Sequence, residues 1–132
     1  MNIRALLFLL FVVGYIGFEI YIIKRTGYRT EPDFIFNEFV GARHASERCG
    51  NPTEDVSRRF TRNFTSVKRG ARDDYVEQYP DKSAAEADAY IDRLISEGES
   101  EIDRMIDAQG CEAADVHRMV VLYERRANLN LR

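Results

Sequence analysis

Two cysteines, two histidines and one glutamate set inside an apolar run have the widest chemical reach in this 132-residue chain. Cys49 lies in Glu47-Arg48-Cys49-Gly50-Asn51-Pro52 and Cys111, 62 positions later, in Gln109-Gly110-Cys111-Glu112. Such a pair either bridges or serves as two small apolar residues. His44 and His117 each stand five or six positions from a cysteine. Paired histidines inside a helical bundle would suit a haem or a metal. No Cys-x-x-Cys-His or Glu-x-x-His motif accompanies them. At 100° per residue, His44 falls opposite the apolar face of its helix and His117 at the edge of its own, so both are expected to face solvent. The sequence shows no nucleophile beside a base, no glycine-rich phosphate loop and no paired carboxylates in an apolar setting. The expectation is therefore no enzyme, no cofactor and no metal. Asn63-Phe64-Thr65 matches a glycosylation sequon but falls mid-helix beside the core, where it is expected to carry no sugar.

Charge is distributed unevenly. Between Val56 and Arg72 stand six cations and no acid; between Asp73 and Asp115 stand fourteen acids against Lys82, Arg93 and Arg104. Arg58, Arg62, Arg69 and Arg72 share one helical face, which is either a site for an anionic ligand or lipid or a surface lying against the acidic helix that follows. The net charge of −3 makes nucleic acid an unlikely partner.

The elements that position these groups begin with an apolar run. Ala5 to Ile23 is nineteen residues long with Glu19 as its only charge, flanked by Arg4 and by Lys24-Arg25. As a helix it spans roughly 28 Å, about one hydrocarbon core. The site Tyr15-Ile16-Gly17 is poor for cleavage, so residues 1–25 are expected to form an uncleaved anchor, followed by a linker at 26–32. Glu19 inside the span is a functional candidate. It either snorkels toward Lys24 or meets a polar group on another membrane helix, with Gly14 and Gly17 as a notch for close packing.

Four helical segments follow at 33–128, with a tail at 129–132. The first is expected from Asp33 to Cys49, with Ile35, Phe39, Ala42, Ser46 and Cys49 inward and a left-handed Gly50 after it. The second opens on Asn51-Pro52 and carries Val56, Phe60, Phe64, Val67, Ala71, Tyr75 and Tyr79 inward before Pro80. Ser83 through Glu86 is a capping box for the third, lined by Ala87, Ile91, Leu94, Ile102 and Met105 and ending at Gly110. Gly98 on its inner face predicts a kink or a close helix approach. The fourth runs from about Glu112 to Asn128, with Ala113, Val116, Val120, Tyr123 and Ala127 inward. The fold class expected is all-α: a transmembrane helix, then an up-down-up-down four-helix bundle.

In that topology the first helix ends where the fourth begins, which brings Cys49 to Cys111. A bridge there closes a long loop and stabilises by about 4 kcal/mol in the chain-entropy picture. It also implies an oxidising compartment, most simply a bacterial periplasm. The positive flank Lys24, Arg25 and Arg29 points the other way, to a cytoplasm-facing domain; the two-point match of the cysteines outweighs that small charge bias. Because the second and third helices are the longest, their hairpin is expected to overhang the bundle by roughly 14 Å. It carries Tyr75, Tyr79 and Tyr90, to which the linker adds Tyr28 and Phe34, either as a contact surface or as a tip over which the linker and Leu129 and Leu131 of the tail fold. The function expected is a membrane-anchored extracytoplasmic protein-interaction module, such as an accessory or assembly subunit of a membrane complex. The alternative is a secreted or periplasmic module that binds an anionic ligand on Arg58, Arg62, Arg69 and Arg72.

Overall fold

A computed structural model describes residues 31–131. The expected anchor and most of the linker, with Gly14, Gly17, Glu19 and Tyr28, lie outside the described residues. Within them stand four helices, α1 (Glu31–Cys49), α2 (Glu54–Gln78), α3 (Ala84–Gln109) and α4 (Ala114–Ala127), and no strand. No helix among the described residues is long and apolar enough to cross a membrane.

The helix boundaries follow local chemistry. α1 opens two residues before Asp33, since Pro32 is tolerated in a first turn where its missing N–H is no loss. α2 is capped by Thr53 rather than Asn51: the Thr53 hydroxyl accepts from the Val56 amide at 3.3 Å, and Glu54 and Asp55 meet the positive end of the helix dipole. α3 has the expected capping box, with the Ser83 amide donating to Glu86 at 2.8 Å and the Glu86 amide donating to the Ser83 hydroxyl at 3.1 Å. It stops at Gly110, whose φ of +80° favours glycine. Gly50, expected to be left-handed, is not. It is small because a Cβ there would lie 2.8 Å from the Ser46 carbonyl oxygen.

Consecutive helices run antiparallel. Phe36 meets Phe64 and Phe39 meets Phe60 across α1 and α2, while Phe60 stacks on Tyr123 at a centroid distance of 3.9 Å along α4. The four helices do not pack as a simple square. α1 contacts α2, α3 and α4 extensively, while the α3–α4 contact is the smallest in the bundle. α1 is thus a central helix buried around most of its circumference. Phe36, Val40 and Ala45 are buried along with the expected Phe39, Ala42 and Ser46. A helix enclosed on all sides has no single apolar stripe to read.

One glycine permits this enclosure. A Cβ on Gly98 of α3 would lie 2.8 Å from Val40 Cγ1, so the close approach is realised and the helix continues unbroken. A Cβ on Gly41 of α1 would meet only the end of the Met119 side chain, which can move aside. Cys49 and Cys111 are bonded, with Cα atoms 5.5 Å apart, inside the usual range for a disulfide. The bridge also ties down the start of α4, where Ala113 offers no side-chain cap.

Candidate functional site

The two ends of the bundle differ. At the disulfide end α1 and α3 are joined by ion pairs. Arg43 donates to Glu99 at 2.9 Å, His44 Nε2 lies 2.7 Å from an Asp103 oxygen, and Arg48 binds the same carboxylate. His44 is therefore not turned to solvent: its side chain is 16% exposed and packed into the seam between the helices. α3 covers the face of α1 that a one-sided helix would leave open to solvent. His117 is exposed, as expected. The hydrogen bond from His44, and then that from Arg48, holds the Asp103 carboxyl below the usual carboxylate range. No group of three His, Cys, Asp or Glu side chains that could hold a metal occurs among the described residues.

At the opposite end the tyrosines pack on one another. The rings of Tyr75 and Tyr90 stack at 4.4 Å, Tyr79 meets Tyr75 at 4.9 Å, and the Arg93 guanidinium lies 5.3 Å over Tyr90. The Tyr90 hydroxyl donates to Asp33 at the start of α1. Burial, reinforced by that carboxylate, pushes the phenol above its ordinary pKa. This contact brings α1 up to the level of Tyr90, Ala87 is buried, and residues 76–86 at the turn of the hairpin are exposed. Tyr75 and Tyr90 build the tip; Tyr79 alone of the three is exposed.

What the tip leaves on the surface is concentrated. Among the described residues the exposed large apolar side chains are Phe34 (55%), Val76 (39%), Tyr79 (46%) and Leu131 (38%). All belong to the end where α1 begins, α2 stops and the chain leaves α4. Beside Leu131 lies a groove of about 410 Å³ between α1, α2 and the tail, lined by Ile35, Val67, Gly70, Leu129, Leu131 and Arg126 among others. Neither Val76 nor this groove was legible in the periodicity, which assigns faces but not neighbours.

The arginine face of α2 divides. Arg58 pairs with Asp55 of its own helix at 3.0 Å, and Arg72 reaches Asp88 of α3 at 2.6 Å. Arg62, Lys68 and Arg69 form no ion pair among the described residues. The acids of α3 are met mainly by Arg43, His44 and Arg48 of α1 rather than by basic α2. Asn63, in the sequon, is fully buried. Its amide donates to the carbonyls of Arg126 and Leu129, each at 2.8 Å, closing the C-terminus of α4. That structural use leaves no room for a sugar in the folded chain.

Compared with known proteins, the chain matches no family model, no curated protein and no solved structure.

Proposed function

We propose that the protein is a membrane-anchored helical module that binds a protein partner through the end of its bundle opposite the disulfide. The observation that carries this reading is the gathering of Phe34, Val76, Tyr79 and Leu131 at that one end. Small soluble domains scatter single apolar residues over their surface, whereas a concentration of large ones marks a contact. The tip beneath is preorganised by the Tyr75–Tyr90 stack, so little side-chain entropy is lost when a partner docks.

The chain enters the bundle at this same end, at Glu31, within the linker read as following the anchor. Glu19, Gly14 and Gly17 in that segment are the natural second contact, within the bilayer, as for an accessory or assembly subunit of a membrane complex. The Cys49–Cys111 bridge supports the part of this reading that sets the bundle on an oxidising side of the membrane. In intact cells, a membrane-impermeant maleimide is expected to label these cysteines only after reduction. Free thiols reachable only after lysis would place the bundle in the cytoplasm.

The test of the contact end is photo-crosslinking in membranes, using the full chain with a photoreactive residue at Tyr79 or, at the disulfide end, at Asp107. A discrete protein adduct is expected from Tyr79, absent from Asp107 and weakened by Glu19→Gln. Adducts from Asp107 alone would overturn the reading.

A second reading has its own observation: Arg62, Lys68 and Arg69 form no ion pair among the described residues. On this reading their face of α2 takes an anionic ligand. The double reversal Arg62→Glu with Arg69→Glu then abolishes a salt-dependent binding that Tyr79→Ser leaves intact.

A further inference from the structure

The outward face of α2 projects charge. Between Val56 and Arg72 the chain has six cations and no acid. Arg62 and Arg69 are both exposed and stand seven residues apart, which puts them on one line about 10 Å apart along the axis. The side chains between them are short. The Thr65 hydroxyl donates to the Thr61 carbonyl at 2.9 Å and the Ser66 hydroxyl to the Arg62 carbonyl at 3.3 Å, so both fold back onto the helix. The guanidiniums therefore stand above a low floor. Arg62, Lys68 and Arg69 form no ion pair among the described residues, so their charge is available to a partner.

The shape of this face restricts the partner. On a convex helix a single small anion keeps most of its water and gains little from one exposed cation. The cavity of about 260 Å³ beside the face is lined by Lys68, Arg72, Asp88, Ile91 and Asp92, as many acids as bases, and offers a small polyanion no net attraction. An extended array of anions, in contrast, meets all three cations together. On the anchored reading proposed above, on which this inference rests, the chain carries such an array with it. Residues 26–32 span at most about 25 Å, and α1 begins at the end of the bundle where α2 stops. Arg69 lies nine residues before Gln78 at that end, about 14 Å along the helix. The headgroups are thus within reach of the stripe, at an effective concentration that a freely diffusing acidic protein does not have. We infer that α2 lies along the surface of the anchoring bilayer, with Arg62, Lys68 and Arg69 on the phosphates of anionic lipids. Guanidinium forks suit phosphate oxygens, which they bind in pairs. The lipid surface is then the anionic ligand of the second reading.

The test uses the full chain, its disulfide intact, in nanodiscs of phosphatidylcholine with or without phosphatidylglycerol. A fluorophore on Thr65→Cys reports contact through quenching by a nitroxide attached to the lipid headgroups. Quenching is expected in the anionic nanodiscs, reversed by salt, and little in the zwitterionic ones. Each basic residue at an anionic surface shifts such an equilibrium about fivefold, so Arg62→Glu with Arg69→Glu should lower the ratio of docked to undocked bundle by about twenty-five-fold or more. Arg62→Lys with Arg69→Lys keeps the charge and should keep the docking. Both double variants should melt with the parent, since the side chains are exposed. Equal quenching in the two nanodiscs, quenching in neither, or quenching unchanged in the folded double reversal overturns the inference. Protection of the Thr65 position by soluble polyglutamate, without quenching in anionic nanodiscs, also overturns it. That result would leave the anionic-ligand reading standing and assign the face to an acidic protein. Loss of the chain from zwitterionic nanodiscs would instead overturn the anchored reading, and this inference with it.

Discussion

The disulfide end and the entry end of this bundle are built on opposite terms. At the first, a small aliphatic cluster of Ala45, Ile102, Ile106 and Val116 is closed by a covalent bridge and by the Arg43, His44 and Arg48 contacts to α3. At the second lie the large aromatic core and, outside it, every exposed large apolar side chain recorded among the described residues. A domain of about a hundred residues has a thin margin of stability. The contrast teaches that rigidity gathered at one end permits apolar surface to be left uncovered at the other.

Removing the bridge should break that contrast most severely. Cys49→Ser with Cys111→Ser is expected to cost about 4 kcal/mol of unfolding free energy, read as a lower denaturant midpoint that reductant no longer changes. A midpoint equal to that of the parent would show that the ionic seam and cluster suffice without it. Next in size is Asn63→Ala, which leaves carbonyls at the end of α4 without their donor and should cost about 2 kcal/mol. Hydrogen exchange should then rise first in 124–129, at the open end, and not at the bridge.

Ser83→Ala removes one half of the α3 capping box and should cost about 1 kcal/mol, measured in the same unfolding titration. Asp103 supplies a pH test of the closed end. Its folded pKa is depressed by His44 and Arg48, so its contribution is present above the ordinary value of about 3.9 and is lost as pH falls through the lower folded value. Asp103→Asn should flatten that part of the acid limb. The smallest stability effect sharpens the comparison best. Tyr79→Ser should change unfolding by less than about 0.5 kcal/mol, as an exposed substitution does, while removing the crosslinked adduct.

The inward faces of α2, α3 and α4 were legible because each is covered on one side only, so apolar residues recur with the helical period. Phe60, Phe64, Ala71, Ile91, Leu94, Val116, Tyr123 and Ala127 all lie where that period puts them. α1 was half legible: Phe39, Ala42 and Ser46 fit one stripe, but Phe36, Val40 and Ala45 belong to other faces. The candidate site was less legible still. Three tyrosines on a hairpin could be named in advance, yet which of them packs and which is exposed depends on how far α1 reaches along that hairpin.

The sequence by itself determined the helices, the capping box at Ser83, the stop at Gly110 and, through the topology of four short-linked helices, the meeting of Cys49 with Cys111. These follow from local hydrogen bonding and chain connectivity, which a linear order of residues specifies. Only the tertiary structure decided that α1 is central, that His44 is held against Asp103, that Asn63 closes α4, and that Tyr79 is exposed while Tyr75 and Tyr90 pack. Those depend on which helix faces which. Pairing of that kind is settled by packing among all four helices at once, not by the period of any one of them.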